Sequence, residues 1–406
     1  MILHTHTFGN GIRIIHLHNY SRIAHCGLFI NAGSRDETTG EHGMAHFTEH
    51  LIFKGTRKRK AHHIINRLET VGGEINAYTG KEETCVYSSF LKEDFERSLE
   101  LISDMVFHSV FPEKELVKEK EVIIDEIISY LDNPSEQIFD DFEEHVFRGN
   151  PIGRNILGNP KDLKRFTRDN VLKFIHNNYH TNKMVFCSVG NIEFSTVLRY
   201  AEKYLARVTA NKKPGERNGL ISYNPVSDTV KKRTHQAHCV IGNLAFDLHD
   251  KRRMPMILLN NILGGPGMSA RLNLALREKS GYAYNVESHF TAYSNTGVFT
   301  VYFGTDKEKL DRCQDLVYRE FKKFRQTPLS NIQLNKAKRQ LKGQFTIGWE
   351  NKENLMLAIG KSYLFFNKVD SMEQVYQRIE NVTAGDLIEV ANIVLDPGKI
   401  SKLVYI

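Results

Sequence analysis

Apolar positions recur along most of the chain with one of two periods, and the switches between them mark out the elements. Ile12–Leu17 alternates, Asn19-Tyr20-Ser21 turns, and Ile23–Ala32 follows with high apolar content, so residues 1–35 read as a pair of strands. Gly33-Ser34-Arg35-Asp36-Glu37 and the polar run to Gly40 form a loop. His42–Thr56 suits a helix except at its ends, near Gly43 and Gly55, and Ala61–Val71 is a second short helix stopped by Gly72-Gly73. Glu74–Phe90 alternates again, with a turn near Gly80-Lys81. Asp94–Phe107 is amphipathic, with Leu99, Leu101, Ile102 and Met105 on its inner face. After Pro112 a long helix runs from about Glu113 to Leu131 and closes at Asn133-Pro134. Further helical segments lead to about His180, and Met184–Val189 is a short apolar strand.

The order of elements then repeats. His25-Cys26 opens a strand in the first half, and His238-Cys239-Val-Ile-Gly opens one in the second. Each is followed by a loop, a helix, a Gly-Gly pair, a hairpin-like strand pair and two amphipathic helices, in the second half Lys307–Arg325 and Asn331–Gly348. Asn211-Lys212-Lys213-Pro214-Gly215-Glu216 is the most linker-like stretch between the halves. The expected fold is α+β: two homologous α/β sandwich domains, 1–210 and 222–406, each a sheet with helices packed on it, joined by a linker at 211–221. A chain of 406 residues agrees, being too long for one core.

Composition narrows the class. The chain is 41% hydrophobic and 25% charged, with no apolar run long enough to span a membrane. The opening Met-Ile-Leu-His-Thr-His lacks a basic segment followed by an apolar one, so no secretory leader is expected. Formal charge is +7, but the basic residues are scattered apart from short runs at Lys54–Lys60 and Lys231–Arg233. Those suit a solvated helix end and a strand flank, and without base-reading features beside them no nucleic-acid partner is expected. Five cysteines at wide spacing suit small buried residues in a reducing, cytoplasmic setting, not a disulfide framework.

The stretch with chemistry is His46-Phe47-Thr48-Glu49-His50. On a helix, His46 and His50 lie on one face and can reach one ion, while Glu49 can reach that ion's water. A catalytic zinc site usually has three protein ligands and an open fourth position, so the motif demands a further carboxylate or imidazole. The candidate is Glu126 on the long helix; Glu119, two turns back on the same face, could brace a ligand histidine. Taken singly these features are weak. Acidic residues on a charged helix usually face solvent, and the pentapeptide can arise by chance in a chain with 18 histidines.

The run His46-Phe-Thr-Glu-His50-Leu-Ile-Phe-Lys-Gly-Thr56 closely resembles the signature of the inverzincin metallopeptidases, the pitrilysin and mitochondrial processing peptidase family. Gly33-Ser34-Arg35-Asp36-Glu37 before it, Gly72-Gly73-Glu-Ile-Asn76-Ala77-Tyr78-Thr79 after it, and Glu119…Glu126 resemble the family in turn. So does Gly267-Met268-Ser269-Ala270-Arg271-Leu272 through Leu276-Arg277-Glu278-Lys279 and Tyr282-Ala283-Tyr284. The resemblance, to a bacterial half-length member, implies a zinc endopeptidase with His46, His50 and Glu126 as ligands and Glu49 as general base. It implies that Arg277 and Tyr284 help the substrate carbonyl and that Asn76, on an edge strand, binds substrate backbone. Arg271 fits a local structural contact better than catalysis. Thr48, where many relatives carry an aliphatic residue, is expected to point away from the metal. The implied substrate is an unfolded peptide or oligopeptide, and the implied assembly a homodimer, or a heterodimer with a related chain, in which Arg277 and Tyr284 act in trans. Two other roles stay open: a precursor-processing peptidase with defined sites, and a noncatalytic family subunit that serves as a binding partner.

Overall fold

The computed structural model describes residues 2–212, 217 and 223–406, so most of the expected linker at 211–221 lies outside the described residues. Among the described residues, eleven strands form two sheets: β1 Leu3–Thr7, β2 Arg13–His18, β3 Ile23–Ile30, β4 Glu74–Thr79, β5 Thr84–Leu91, β6 Met184–Gly190, β7 Ser227–Val230, β8 Ala237–Ala245, β9 Ala283–Ala292, β10 Gly297–Thr305 and β11 Ser401–Tyr405. The first sheet has the order β1-β2-β6-β3-β5-β4 and the second β7-β11-β8-β10-β9. Without β1 the two orders match. They match in sense too, since β2–β6 and β7–β11 are the parallel pairs and the others are antiparallel. The repeat read from the order of elements is therefore present in the topology.

The first 35 residues form a hairpin of β1 with β2, not the pair read from the sequence. The strands expected there are β2 and β3, but β6 lies between them, paired to both. A short turn favours neighbours in sequence, yet here the partner comes from far along the chain. β1 was not expected at all: Leu-His-Thr-His-Thr is an exposed edge strand without an apolar face.

β3 and β6 read as continuous apolar runs because each is buried on both faces. Ala24, Cys26, Leu28, Met184 and Phe186 face one core, while Phe29, Val185, Cys187 and Val189 face another. The first core is filled by helices α1 Met44–Ile52, α2 Ala61–Glu69, α3 Phe95–His108 and α4 Glu113–Leu131. The second is covered by Leu355, Met356, Ile359, Tyr363 and Leu364 of the helix Lys352–Phe366. The second sheet is built alike. Phe299, Val301 and Phe303 face the helices Arg253–Gly264 and Leu310–Gln326, and Val240, Val298, Tyr302 and Tyr405 face helix α5 Pro134–Val146.

The chain thus divides into two compact units that exchange segments relative to a division at 1–210 and 222–406. Ser129–Gly153, with α5, belongs to the second unit, and Ile347–Ser371, with Lys352–Phe366, belongs to the first. In each half, the helix after the long one covers the other half's sheet. All five cysteines are free and buried. Among the described residues no helix is long and apolar enough to cross a membrane.

Candidate active site

The site is built on α1 and α4 of the first unit. Gly43 begins α1 with φ +93°, and a Cβ there would lie 2.7 Å from the Leu157 carbonyl oxygen, so both backbone and space require glycine. The helix N-terminus is capped from a distance. Glu37 accepts hydrogen bonds from the Gly43 N–H (3.1 Å) and the Ala45 N–H (2.9 Å), so its carboxyl oxygens satisfy two of the N–H groups that a helix start leaves free. Burial pushes the Glu37 carboxyl up to about 8, with those two bonds and Arg154 pulling the other way. Thr48 is fully buried and its hydroxyl donates to the Met44 carbonyl, away from the imidazoles.

One turn of α1 separates His46 and His50, whose rings meet edge to face with centroids 4.6 Å apart. Glu126 on α4 reaches both: its Oε2 is 3.8 Å from His46 Nε2 and 3.7 Å from His50 Nε2. Those separations exceed hydrogen-bond distance and suit groups that share one ion at about 2 Å from each. The three donor atoms lie within 4.8 Å of one another and could hold a metal. Two imidazoles and a carboxylate are a donor set that zinc accepts. Burial, and then the neighbouring His50, lowers His46 to about 4, keeping its ring neutral as a ligand must be.

The far sides of the two rings differ. His50 Nδ1 is 3.1 Å from Glu119 Oε2, and Lys54 Nζ is 2.7 Å from Glu119 Oε1, so a buried carboxylate fixes that ring and is itself fixed. Burial opposes protonation of His50, but Glu119, Glu49 and Glu126 outweigh it and its pKa is raised. Burial likewise acts to raise Glu119, yet its bonds to His50 and Lys54 leave it lowered. His46 Nδ1 is buried without a hydrogen-bond partner among the described residues. Glu49 lies between the two histidines in sequence on α1, and its Oε2 accepts from the Thr79 hydroxyl at 2.6 Å. Burial raises Glu49, while Thr79 and His50 pull it back.

Asn76 is exposed on β4, the free edge of the first sheet, and its Oδ1 accepts from the Ala77 N–H at 2.9 Å. Arg277 and Tyr284 belong to the second unit. Arg277 is exposed on a π-helical turn, Asn273–Glu278, a local widening common at functional sites. Tyr284 is 60% exposed, not a core tyrosine, and its hydroxyl donates to Asp306 at 3.0 Å. Arg271 lies over the Phe324 ring, 4.2 Å from its centroid, a local contact as expected.

Sequence reasoning did not find Glu37 as the cap, Lys54 as the brace of Glu119, or Thr79 as the partner of Glu49. All three stand inside the segments that carry the resemblance, but no spacing rule joins a strand residue to a helix residue.

Comparison with known proteins agrees with this architecture. Residues 13–160 match the family model described as Insulinase (Peptidase family M16), and residues 165–341 match Peptidase M16 inactive domain. The chain is 33% identical over 381 residues to an uncharacterized zinc protease of Rickettsia bellii, covering 93% of this chain and 91% of that one. It is 28% identical to the mitochondrial-processing peptidase subunit beta of Saccharomyces cerevisiae, covering 93% and 85%. In fold it is similar to a protease from Helicobacter pylori, with TM-score 0.93 at 21% identity, over 100% of this chain and 99% of that one. With the inverted His-x-x-Glu-His helix and a carboxylate converging on it from α4, these matches show that the chain belongs to peptidase family M16.

Proposed function

We propose that this chain is a zinc endopeptidase acting on unfolded peptides or oligopeptides, with His46, His50 and Glu126 as the ligands and Glu49 as general base. The observation that carries the reading is the convergence of two Nε2 atoms and one carboxylate oxygen, with Glu49 beside them on the same helix. When bound there, zinc supplies the Lewis acidity that makes a water nucleophilic near neutral pH. Glu49 takes the proton of the attacking water and later gives it to the leaving amine. Its raised pKa suits both halves of that task. The free edge of β4 offers backbone groups to an extended peptide, so recognition rests mainly on main chain and requires an unfolded segment. Asn76, at that edge, contacts the substrate backbone. Arg277 and Tyr284 donate to the carbonyl oxygen as it gains negative charge, a contribution of about 3–4 kcal/mol for a well-placed donor.

Zinc content by mass spectrometry and peptide turnover, on wild type and Glu49→Gln, test the reading. The variant is expected to keep about one zinc per chain and to lose hydrolysis by about a thousandfold or more. Equal turnover by the two proteins overturns the role of Glu49.

A second reading is favoured by the likeness to the processing peptidase subunit: cleavage of precursors at one defined site. Many cuts in any short peptide support degradation; a single cut in a precursor supports processing. A noncatalytic role fits less well, because every ligand position and the base are filled. Two copies of the chain form the working unit in this proposal, each supplying Arg277 and Tyr284 to the other's metal site. Mixing Glu49→Gln chains with Tyr284→Phe chains then restores part of the activity. A monomer by light scattering that still cleaves peptides overturns the pairing.

A further inference from the structure

The inference rests on the peptidase reading above. We propose that Thr79 is a positioning residue, tying the general base to the strand along which substrate is laid. Thr79 ends β4, and its hydroxyl donates to Glu49 Oε2 at 2.6 Å, the short distance of a charge-assisted bond. Among the described residues it is the one side-chain donor on that carboxylate. A glutamate on a helix surface has several rotatable bonds, so something must choose where its carboxylate rests. A β-branched threonine is suited to that, because its χ1 is stiff.

Thr79 is itself held on each side. It sits opposite Thr84 in the β4–β5 pair, and the Thr84 hydroxyl donates to the Ala32 carbonyl at 2.8 Å. The next residue, Gly80, donates its N–H to the Glu83 carbonyl at 2.7 Å and accepts from the Ser34 N–H at 3.2 Å. Glu83 is paired with Lys361 of the covering helix. The hydroxyl direction is therefore set by the sheet and not by α1.

Two consequences follow from that geometry. The bond takes one lone pair of Oε2 and, with the Thr79 N–H that also acts on this carboxylate, limits how Glu49 can turn to take a proton. It also fixes the register between base and substrate. Ala77 and Thr79 share one parity of β4, and the Ala77 N–H is satisfied by the Asn76 side chain in place of a neighbouring strand. A peptide that adds at Ala77 thus meets a strand whose next residue of the same parity holds the base. A slip of one residue would turn the wrong backbone groups toward it.

The test is a pair of substitutions, Thr79→Val and Thr79→Ser. Misplacing a reacting group by about 1 Å can cost about a hundredfold. The Val variant is expected to lose about 10- to 100-fold in kcat with KM unchanged within about twofold, while the Ser variant stays within about threefold of wild type. Zinc per chain is expected to be unchanged in both, and a crystal structure of the Val variant to show the Glu49 carboxylate moved. Wild-type kcat in the Val variant, an equal loss in Ser and Val, or a loss of zinc overturns the proposal. Should Val not fold, Thr79→Ala carries the same expectations. If the wild type itself cleaves no peptide, the peptidase reading falls, and the position of Glu49 in the variant structure alone decides the role of Thr79.

Discussion

The two sheets solve the same packing problem with the parts reversed. In the first unit a glycine on the covering helix, Gly360, meets a phenylalanine on the strand, Phe29, so closely that a Cβ would lie 2.1 Å from the ring. In the second unit the phenylalanine is on the helix, Phe142, and the glycine on the strand, Gly242, where a Cβ would lie 3.0 Å from the ring. The close approach has been kept while the residues that permit it have changed sides. The inner helices differ more deeply. α1 carries His46, Glu49 and His50, whereas Arg253–Gly264 presents Met256, Leu258, Leu259 and Leu263 to its core. The scaffold is repeated and the chemistry is not, which is the ordinary relation of a fold to the site placed on it.

That contrast can be broken most forcefully at the imidazoles. His50→Ala is expected to bring zinc from about one per chain to near none and hydrolysis to background, read by metal analysis and peptide turnover. A buried residue of the corresponding helix in the second unit, Leu259→Ala, is expected to leave zinc in place and to cost about 2–5 kcal/mol of stability, read by urea unfolding. Full zinc in the His50 variant removes it from the ligand set. A smaller effect is expected behind the ring: Glu119→Gln loosens zinc by about 10- to 100-fold in competition with a chelator, because His50 Nδ1 loses a charged partner. An unchanged affinity would mean that Glu119 serves only Lys54.

The reversed glycines give the next test. Gly360→Ala and Gly242→Ala are each expected to destabilise by about 1–3 kcal/mol through overpacking. A neutral result at Gly360 means that the covering helix can stand off its sheet; at Gly242, where the Phe299 carbonyl oxygen would lie 2.1 Å from the Cβ, it means that the strand pair itself can give way. An effect absent at neutral pH concerns a buried group without a counterpart. His16 on β2 is fully buried between the Ser188 hydroxyl and the Ile192 carbonyl, while β7, in the matching place, is Ser-Asp-Thr-Val. Burial lowers His16 from 6.5 to about 4. Between those values the unfolded chain binds the extra proton, so stability falls as pH drops from about 6.5 to about 4. His16→Asn should flatten that slope in chelator-treated protein, as followed by thermal melts, and an unaltered slope would place the proton elsewhere.

Local punctuation explains what could be read from the chain. α4 is bounded as expected because Pro112 and Asn133-Pro134 mark both ends, and β4 and β5 because Gly80-Lys81 turns between them. The candidate metal cluster was legible for two other reasons: four positions on one helix set His46 against His50, and the family resemblance, not any spacing, pointed to Glu126 on another helix. What escaped is what depends on distant neighbours. The insertion of β6 between β2 and β3, the exchange of the covering helices, and the reach of Thr79 to Glu49 leave no periodic trace, because each joins segments that only the finished sheet brings together.

The exchange of covering helices bears on how the protein is made. A nascent chain that has just completed β6 already contains all three residues of the candidate metal site, yet Ile15, Phe29, Val185 and Cys187 still present a bare apolar face. The helix that shields it, Lys352–Phe366, leaves the ribosome long after β6. The packing of the first unit is therefore completed only after much of the second has been made, and until then the uncovered sheet face is the kind of exposed apolar surface that chaperones bind.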